Sequence, residues 1–323
     1  MDNNLYFIGI DVSKVKLDVA VMATDSQKTV LELQAENSPA ACRDLAVRLK
    51  PYAGSIVIIE ATAGFHYAPA FALRDAGFQV KVINPIITGK YASSGIRKTK
   101  TDKVDALLLA KIGIMEQGLA DYKENEKQIQ MKQLSKAIAG LKEQRRSLMQ
   151  KVKHMKHLGD MGSAEVIRAL ESVLKTIERE TAKLTRSLAI LAAPEVKIIS
   201  SVQGVSEETA AVIAAELGDV TRFAGKRQAV AFSGLDPSVK ESGSSLRGKS
   251  RISKRGSNVL RRVLFQGAWG LMMHNPNYKA FYNKKMAEGK HYYAVLCAMA
   301  RKLLILIYTM LKNNTLYDPI KFT

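Results

Sequence analysis

The chain has 323 residues, 47% of them hydrophobic, which is enough for two domains with substantial cores. Its formal charge of +19 points to a polyanionic partner, and its two isolated cysteines, Cys42 and Cys297, exclude a zinc finger or a disulfide scaffold. No stretch reads as a secretory leader. The apolar run at residues 303–311 is short and flanked by Arg301, Lys302 and Lys312, so the expectation is a soluble cytoplasmic protein with no membrane partner.

The charge is unevenly spread. Residues 1–121 carry 14 basic against 13 acidic side chains, whereas residues 122–323 carry 35 against 17. An acid-rich, nearly neutral front is followed by a strongly basic back.

Residues 6–11 (YFIGID) form a short β-rich run that ends in an acid, and 16–22 (KLDVAVM) and 28–33 (KTVLEL) read as two further strands of an antiparallel meander. Ser38-Pro39 supplies a cap and a first-turn proline for a helix to about Leu49. Residues 55–60 (SIVIIE) are apolar almost throughout, as buried central strands are, and again end in an acid. A helix at 67–76, a strand at 79–84 and a helix opening at Asp102 follow. The order βββαβαβα is that of an RNase H-like α/β domain, with its site at strand ends.

Asp11 and Glu60 end the first and fourth strands, which are neighbours in that arrangement. Asp102 and Asp105, three apart, lie on one face of the first turns of the last helix. Two carboxylates about 4 Å apart repel by roughly 4 kcal/mol at an effective dielectric near 20, so such a group calls for a cation. Carboxylates with waters and substrate phosphate are the ligands Mg²⁺ takes. Lys98, Lys100 and Lys103 surround the acidic pair, either as a solvated basic loop or as contacts to a DNA backbone.

From residue 129 the apolar positions recur by threes and fours through Val152, break at GDMGS (159–163) and resume from Val166 to Leu191. This predicts two long amphipathic helices, which pack either within the chain or against a second subunit; the latter is favoured, because nothing nearby covers them. Their Lys142, Arg145, Arg146 and Lys156 follow a phosphate backbone or are merely solvated. Residues 198–223 read as helix, VQGVS turn and helix, with Ser206 as cap and Gly204 in the turn. This is a helix-hairpin-helix pattern suited to phosphate contact, or else a plain helical hairpin.

Residues 240–262 hold eight basic side chains and one acid, Glu241. Arg247, Lys249, Arg251, Lys254 and Arg255 surround a polar Ser-Gly-Ser-Ser loop that begins at Ser242. Composition alone reads this as a disordered polar loop, yet a serine among cations is also what attack on a phosphodiester requires. The mainly helical remainder contains the only tryptophan, Trp269, expected in the core.

Taken together, IGIDVSK, IIEATAG, KTDKVDA, VQGVSEETAAVIAAELGD, FSGLDP and ESGSSLRGKSRISKRGSNVLRR resemble the DEDD-type insertion-sequence transposases. That family includes Piv-type DNA invertases and bridge-RNA-guided recombinases. The resemblance implies a RuvC-like domain at 1–121 whose acidic tetrad Asp11, Glu60, Asp102 and Asp105 binds Mg²⁺. It implies dimerising coiled-coil helices at 122–193 and a transposase domain at 194–323 with Ser242 as nucleophile. Ser244 and Ser245 stand beside it as candidates. It further implies strand exchange through a phosphoserine link, donor and target DNA and a bridge RNA as partners, and dimers that pair into tetramers.

Three other functions fit parts of the sequence. A RuvC-like junction endonuclease would hydrolyse DNA without a covalent intermediate, and the Ser242 loop would then serve binding alone. An actin-like kinase would share GIDVSKVKLDVAV, but would need a second glycine-rich phosphate motif and a charge nearer zero. A non-catalytic nucleic-acid scaffold would leave the four strand-end acids unexplained.

Overall fold

The computed structural model describes residues 6–93, 102–116, 118–238 and 251–319, with backbone alone at 92–93, 102–103 and 160. The chain divides into two compact units, Met1–Lys123 and Glu124–Thr323.

The first unit holds strands β1 (Tyr6–Val12), β2 (Lys16–Ala23), β3 (Thr29–Glu36), β4 (Ile56–Glu60) and β5 (Gln79–Ile83). Helix α1 (Pro39–Arg48) precedes β4, α2 (Tyr67–Asp75) precedes β5, and α3 (Pro85–Ser93) and α4 (Asp102–Met115) follow. The sheet order is β3-β2-β1-β4-β5, with β1 antiparallel to β2 and parallel to β4. The expected meander is present, and Ser38 caps α1 by accepting from the Ala41 amide at 3.3 Å. Helix α3 has no counterpart in the sequence reading. It follows β5 at once, through Pro85.

Alternation divides the sheet residues between two layers. Ile8, Ile10 and Val12 join Val57 and Ile59 in a core with Cys42, Leu45 and Leu73 of α1 and α2. Ile58 and Ile83 turn the other way, against Leu109 and Ile112 of α4. Burial at Cys42 pushes its thiol up to about 11, so this cysteine is an inert core residue.

Among the described residues, the second unit is helical apart from a ribbon of two residues per strand. It comprises α5 (Glu126–His157), α6 (Ala164–Leu191), α7 (Ala193–Ser200), α8 (Glu207–Leu217), α9 (Lys226–Ser233), α10 (Asn258–His274), α11 (Pro276–Ala287) and α12 (Tyr292–Asn313). The ribbon pairs β6 (Pro237–Ser238) with β7 (Arg251–Ile252). The long pair α5 and α6 packs within the chain, where the sequence reading favoured a second subunit as its cover. Ion pairs across the pair, Arg145 to Glu178 and Lys156 to Glu171, both at 2.8 Å, show that the two helices run antiparallel. Their roots enter a core shared with the C-terminal helices, through Met131, Ile138 and Leu188. Farther out the cover is thinner: of α6 only Ile177 and Leu188 are buried, and Val166 and Val173 stay 41% and 46% exposed.

Helix α12 corrects one expectation. Its apolar run starts at Tyr292, so among the described residues it is one helix long and apolar enough to cross a membrane by length and composition. In this fold it is a core helix. Leu303, Leu304 and Ile307 are fully buried, while Arg301 and Lys302 lie on its exposed side.

Candidate active site and nucleic-acid interface

Asp11 and Glu60 lie on neighbouring parallel strands, each one position beyond the last paired residues, Ile10 and Ile59. Both fall on the face covered by α4, since Gly9 and Ile58, two residues earlier on each strand, contact that helix. Helix α4 runs antiparallel to β1: Gly113 sits against Phe7, and Ala106 and Ala110 sit against Gly9. One turn farther toward its N-terminus the helix opens at Asp102, at the Asp11 end of the strand. The backbone thus directs Asp11, Glu60 and the first turn of α4 to one edge of the sheet. Asp105 is half-buried there, and the side chain of Asp102 lies outside the described residues. Glu60 accepts a hydrogen bond from Thr88 Oγ1 of α3. Among the described residues no three acidic, histidine or cysteine side chains are gathered closely enough to cage a metal.

A residue missed in the sequence stands beside this edge. Asp18 of β2 is the cross-strand partner of Asp11 and is only 3% exposed. It accepts from Gln34 Nε2 and pairs with Lys16 Nζ at 3.2 Å. The signal was present, because residues 11 and 18 are equidistant from the hairpin loop and therefore share a face.

The second focus is the ribbon. Ser238 pairs with Arg251, and Ser238 Oγ donates to the Arg251 carbonyl at 2.9 Å, so the two residues that flank 239–250 are held side by side. Ser242, Arg247 and Lys249, like Lys98 and Lys100, lie outside the described residues, as does the side chain of Lys103. Arg251, Lys254 and Arg255 are exposed, Lys254 with a left-handed φ of 57°. Below them two backbones clasp. The Lys254 amide donates to the Gly234 carbonyl at 3.1 Å, and the Ser257 amide to that of Phe232 at 3.2 Å. A methyl group on Gly256 would stand 1.8 Å from the Phe232 oxygen, and Gly234 takes a left-handed φ of 68°. This explains why FSGLDP and SKRGS each carry a glycine.

A buried carboxylate, also missed, anchors the clasp. Glu216 of α8 accepts from Ser135 Oγ of α5 and from Ser257 Oγ, both at 2.6 Å; Ser257 also caps α10. Ser206 caps α8 as expected, by accepting from the Thr209 amide at 3.2 Å. Gly204, with φ 99°, is pressed against α10: a methyl group there would lie 2.6 Å from the Gly270 oxygen. Close packing therefore accounts for this glycine.

Several cations on the long helices already have partners. Lys142 pairs with Glu208 and Arg146 with Glu143, in addition to the pairs that hold Arg145 and Lys156. Trp269, expected in the core, is 51% exposed. The core face of α10 is filled by Leu260, Val263, Leu264, Gly267, Ala268 and Leu271, and Trp269 is on a different face.

An acidic sheet edge and a separate basic loop held at its base are the parts expected of a DEDD transposase. Comparison with known proteins agrees. The DEDD transposase family of IS110 elements matches residues 8–158, and the family described as "Transposase IS116/IS110/IS902 family" matches residues 196–283. The chain belongs to this family of transposases, enzymes that recombine DNA. It is 25% identical to the pilin gene-inverting protein of Moraxella bovis over 329 residues, which cover 97% of each chain. It is 29% identical over 155 residues to the "Insertion element IS110 uncharacterized 43.6 kDa protein" of Streptomyces coelicolor. That match takes in 47% of this chain and spans 38% of the relative. Among solved structures, T. thermophilus RuvC in complex with a Holliday junction substrate aligns at a TM-score of 0.30 and 13% identity, over 36% of this chain and 99% of that one.

Proposed function

We propose that the chain is a cut-and-rejoin DNA recombinase of a mobile element, with an RNase H-like acidic edge and a serine nucleophile on the basic loop. The observation that carries the reading is the placement of Asp11 and Glu60 side by side beneath the helix that Asp102 and Asp105 open. An all-carboxylate donor set suits a hard divalent cation, and Asp11, Glu60, Asp102 and Asp105 would hold Mg²⁺. When bound, the ion would neutralise the phosphate and the charge that develops on its oxygens.

Ser242 attacks phosphorus: its Oγ bonds to the phosphate as one phosphorus–oxygen bond of the DNA backbone breaks. The serine proton ends on the freed sugar hydroxyl. One phosphodiester replaces another, so the exchange is close to reversible, and the reverse attack rejoins the strand. Arg251, Lys254 and Arg255, exposed at the base of the loop, together with Arg247 and Lys249, neutralise the incoming backbone. Lys98, Lys100, Lys103 and Gly204 complete the proposed nucleic-acid contacts. A serine hydroxyl is a weak nucleophile without a base, and the acidic edge supplies one when protein and nucleic acid assemble. A bridge RNA selects donor and target DNA, and dimers formed through residues 122–193 pair into tetramers.

The test is an adduct trapped on nicked or suicide-substrate DNA and mapped by peptide. Ser242→Ala is expected to bind DNA yet form no adduct. Asp102→Ala or excess chelator is expected to abolish exchange in a protein that remains folded. Phosphate on Ser244 or Ser245 would move the nucleophile, and hydrolysed product without any adduct would establish a junction nuclease instead.

A further inference from the structure

We infer that Trp269 is a stacking platform for an unpaired base of a single-stranded nucleic-acid segment. This inference rests on the proposed nucleic-acid function. The second unit places its basic surplus and the chain's only tryptophan on the same helical scaffold. Helix α10 carries two apolar faces. One is the buried face already described. The other presents Trp269 and Met273, four residues apart, with half-buried Phe265 one turn before them and Arg262 and Gln266 beside them.

This second face borders an open cleft of about 610 Å³, lined by Lys142, Glu208, Thr209, Arg262, Phe265, Gln266 and Trp269. The far wall is the first turn of α8, drawn close by the contact of Gly204 with Gly270, the residue after Trp269. The lining is chemically mixed in a way that suits a nucleotide. An indole half open to solvent offers a π-face to any base, and such stacking strengthens binding whatever the base. The Gln266 amide, exposed beside it, can both donate to and accept from a base edge. Lys142 and Arg262 supply charge for the flanking phosphates. Both are held by carboxylates, Lys142 by Glu208 and Arg262 by Glu143 at 3.6 Å. Exposed pairs of this kind are weak, and a phosphate can displace either partner. A duplex, whose bases are stacked on each other, cannot use the indole.

Because Trp269 is the only tryptophan, its fluorescence reports on this site alone. The full chain is titrated with single-stranded DNA, with single-stranded RNA of the same sequence, and with the matching duplexes. Binding is followed in parallel by anisotropy of an end label. Quenching by single strands and none by duplex is expected, and the arm that quenches more strongly identifies DNA or RNA as the source. Trp269→Ala should bind single strands about 5- to 150-fold more weakly, with duplex affinity unchanged. Trp269→Phe should restore most of the loss, which excludes misfolding as its cause. Single-strand binding without quenching, or Trp269→Ala binding as tightly as the parent, would overturn the inference and leave the nucleic-acid function standing. Equal quenching by duplex would also overturn it. A blue shift that depends on protein concentration, without nucleic acid, would assign the face to a second copy of the chain. No binding in any arm would sink the nucleic-acid function itself.

Discussion

Gly9 of β1 lies directly beneath Ala106 of α4: a methyl group on Gly9 would stand 2.0 Å from the Ala106 carbonyl oxygen and 2.5 Å from the Ala110 nitrogen. Both neighbours are backbone, so neither can swing aside. The contact sets the height of the helix above the strand, and with it the position of the helix's first turn relative to Asp11.

Gly9→Ala is therefore expected to lift α4 while leaving the sheet intact. Overpacking of this kind costs about 1–3 kcal/mol. Strand exchange should fall much further, by roughly 100-fold, because a displacement near 1 Å at reacting groups has that effect. Circular dichroism and urea unfolding measure the first quantity, and a recombination assay the second. Activity that falls only in step with stability would show that the helix does not position the acids.

Glu216 offers a separate test in the second unit. Glu216→Ala strips two hydroxyls of their acceptor, one of them on the fully buried Ser135. Each unsatisfied buried group costs about 1–3 kcal/mol, so a clear loss of stability is expected. Glu216→Gln keeps an acceptor oxygen and should lose less. Urea midpoints at constant slope are the measurement.

The outer part of α6 bears on assembly. Val166 and Val173, seven residues apart and each more than 40% exposed, share a helix face that the chain itself does not cover. Val166→Lys with Val173→Lys should leave the monomer folded and reduce the mass seen in sedimentation. Unchanged mass with intact folding would show that this face is not a subunit contact.

Much of this architecture was legible because the signals were local. Ser38-Pro39, the strand ends at Asp11 and Glu60 and the Ser206 cap each declare themselves within a few residues, and the strand order follows from alternation and loop length. What was not legible depended on tertiary partners. The clasp between Gly234 and Gly256 joins backbones more than twenty residues apart: Gly234 reads locally as the cap that ends α9, and nothing near either glycine names the other. Trp269 was assigned to the core because hydrophobicity does not say which of two apolar faces a helix will bury. The acids of α6 and α8 that pair with the cations of α5 are distant in sequence, so those ion pairs were not legible either. Asp18 was readable from hairpin symmetry, but a lone acid in an apolar strand carries no motif.

Covalent geometry bounds the distance of Ser242 from the ribbon in which Ser238 pairs with Arg251. A fully extended chain advances at most about 3.5 Å per residue, so the α-carbon of Ser242 stays within about 14 Å of that of Ser238. On the proposed mechanism, a phosphate attacked by Ser242 must come within this distance of the ribbon. Any arrangement of DNA on the protein can be judged by that length: a scissile phosphate held beyond it is out of reach of this serine.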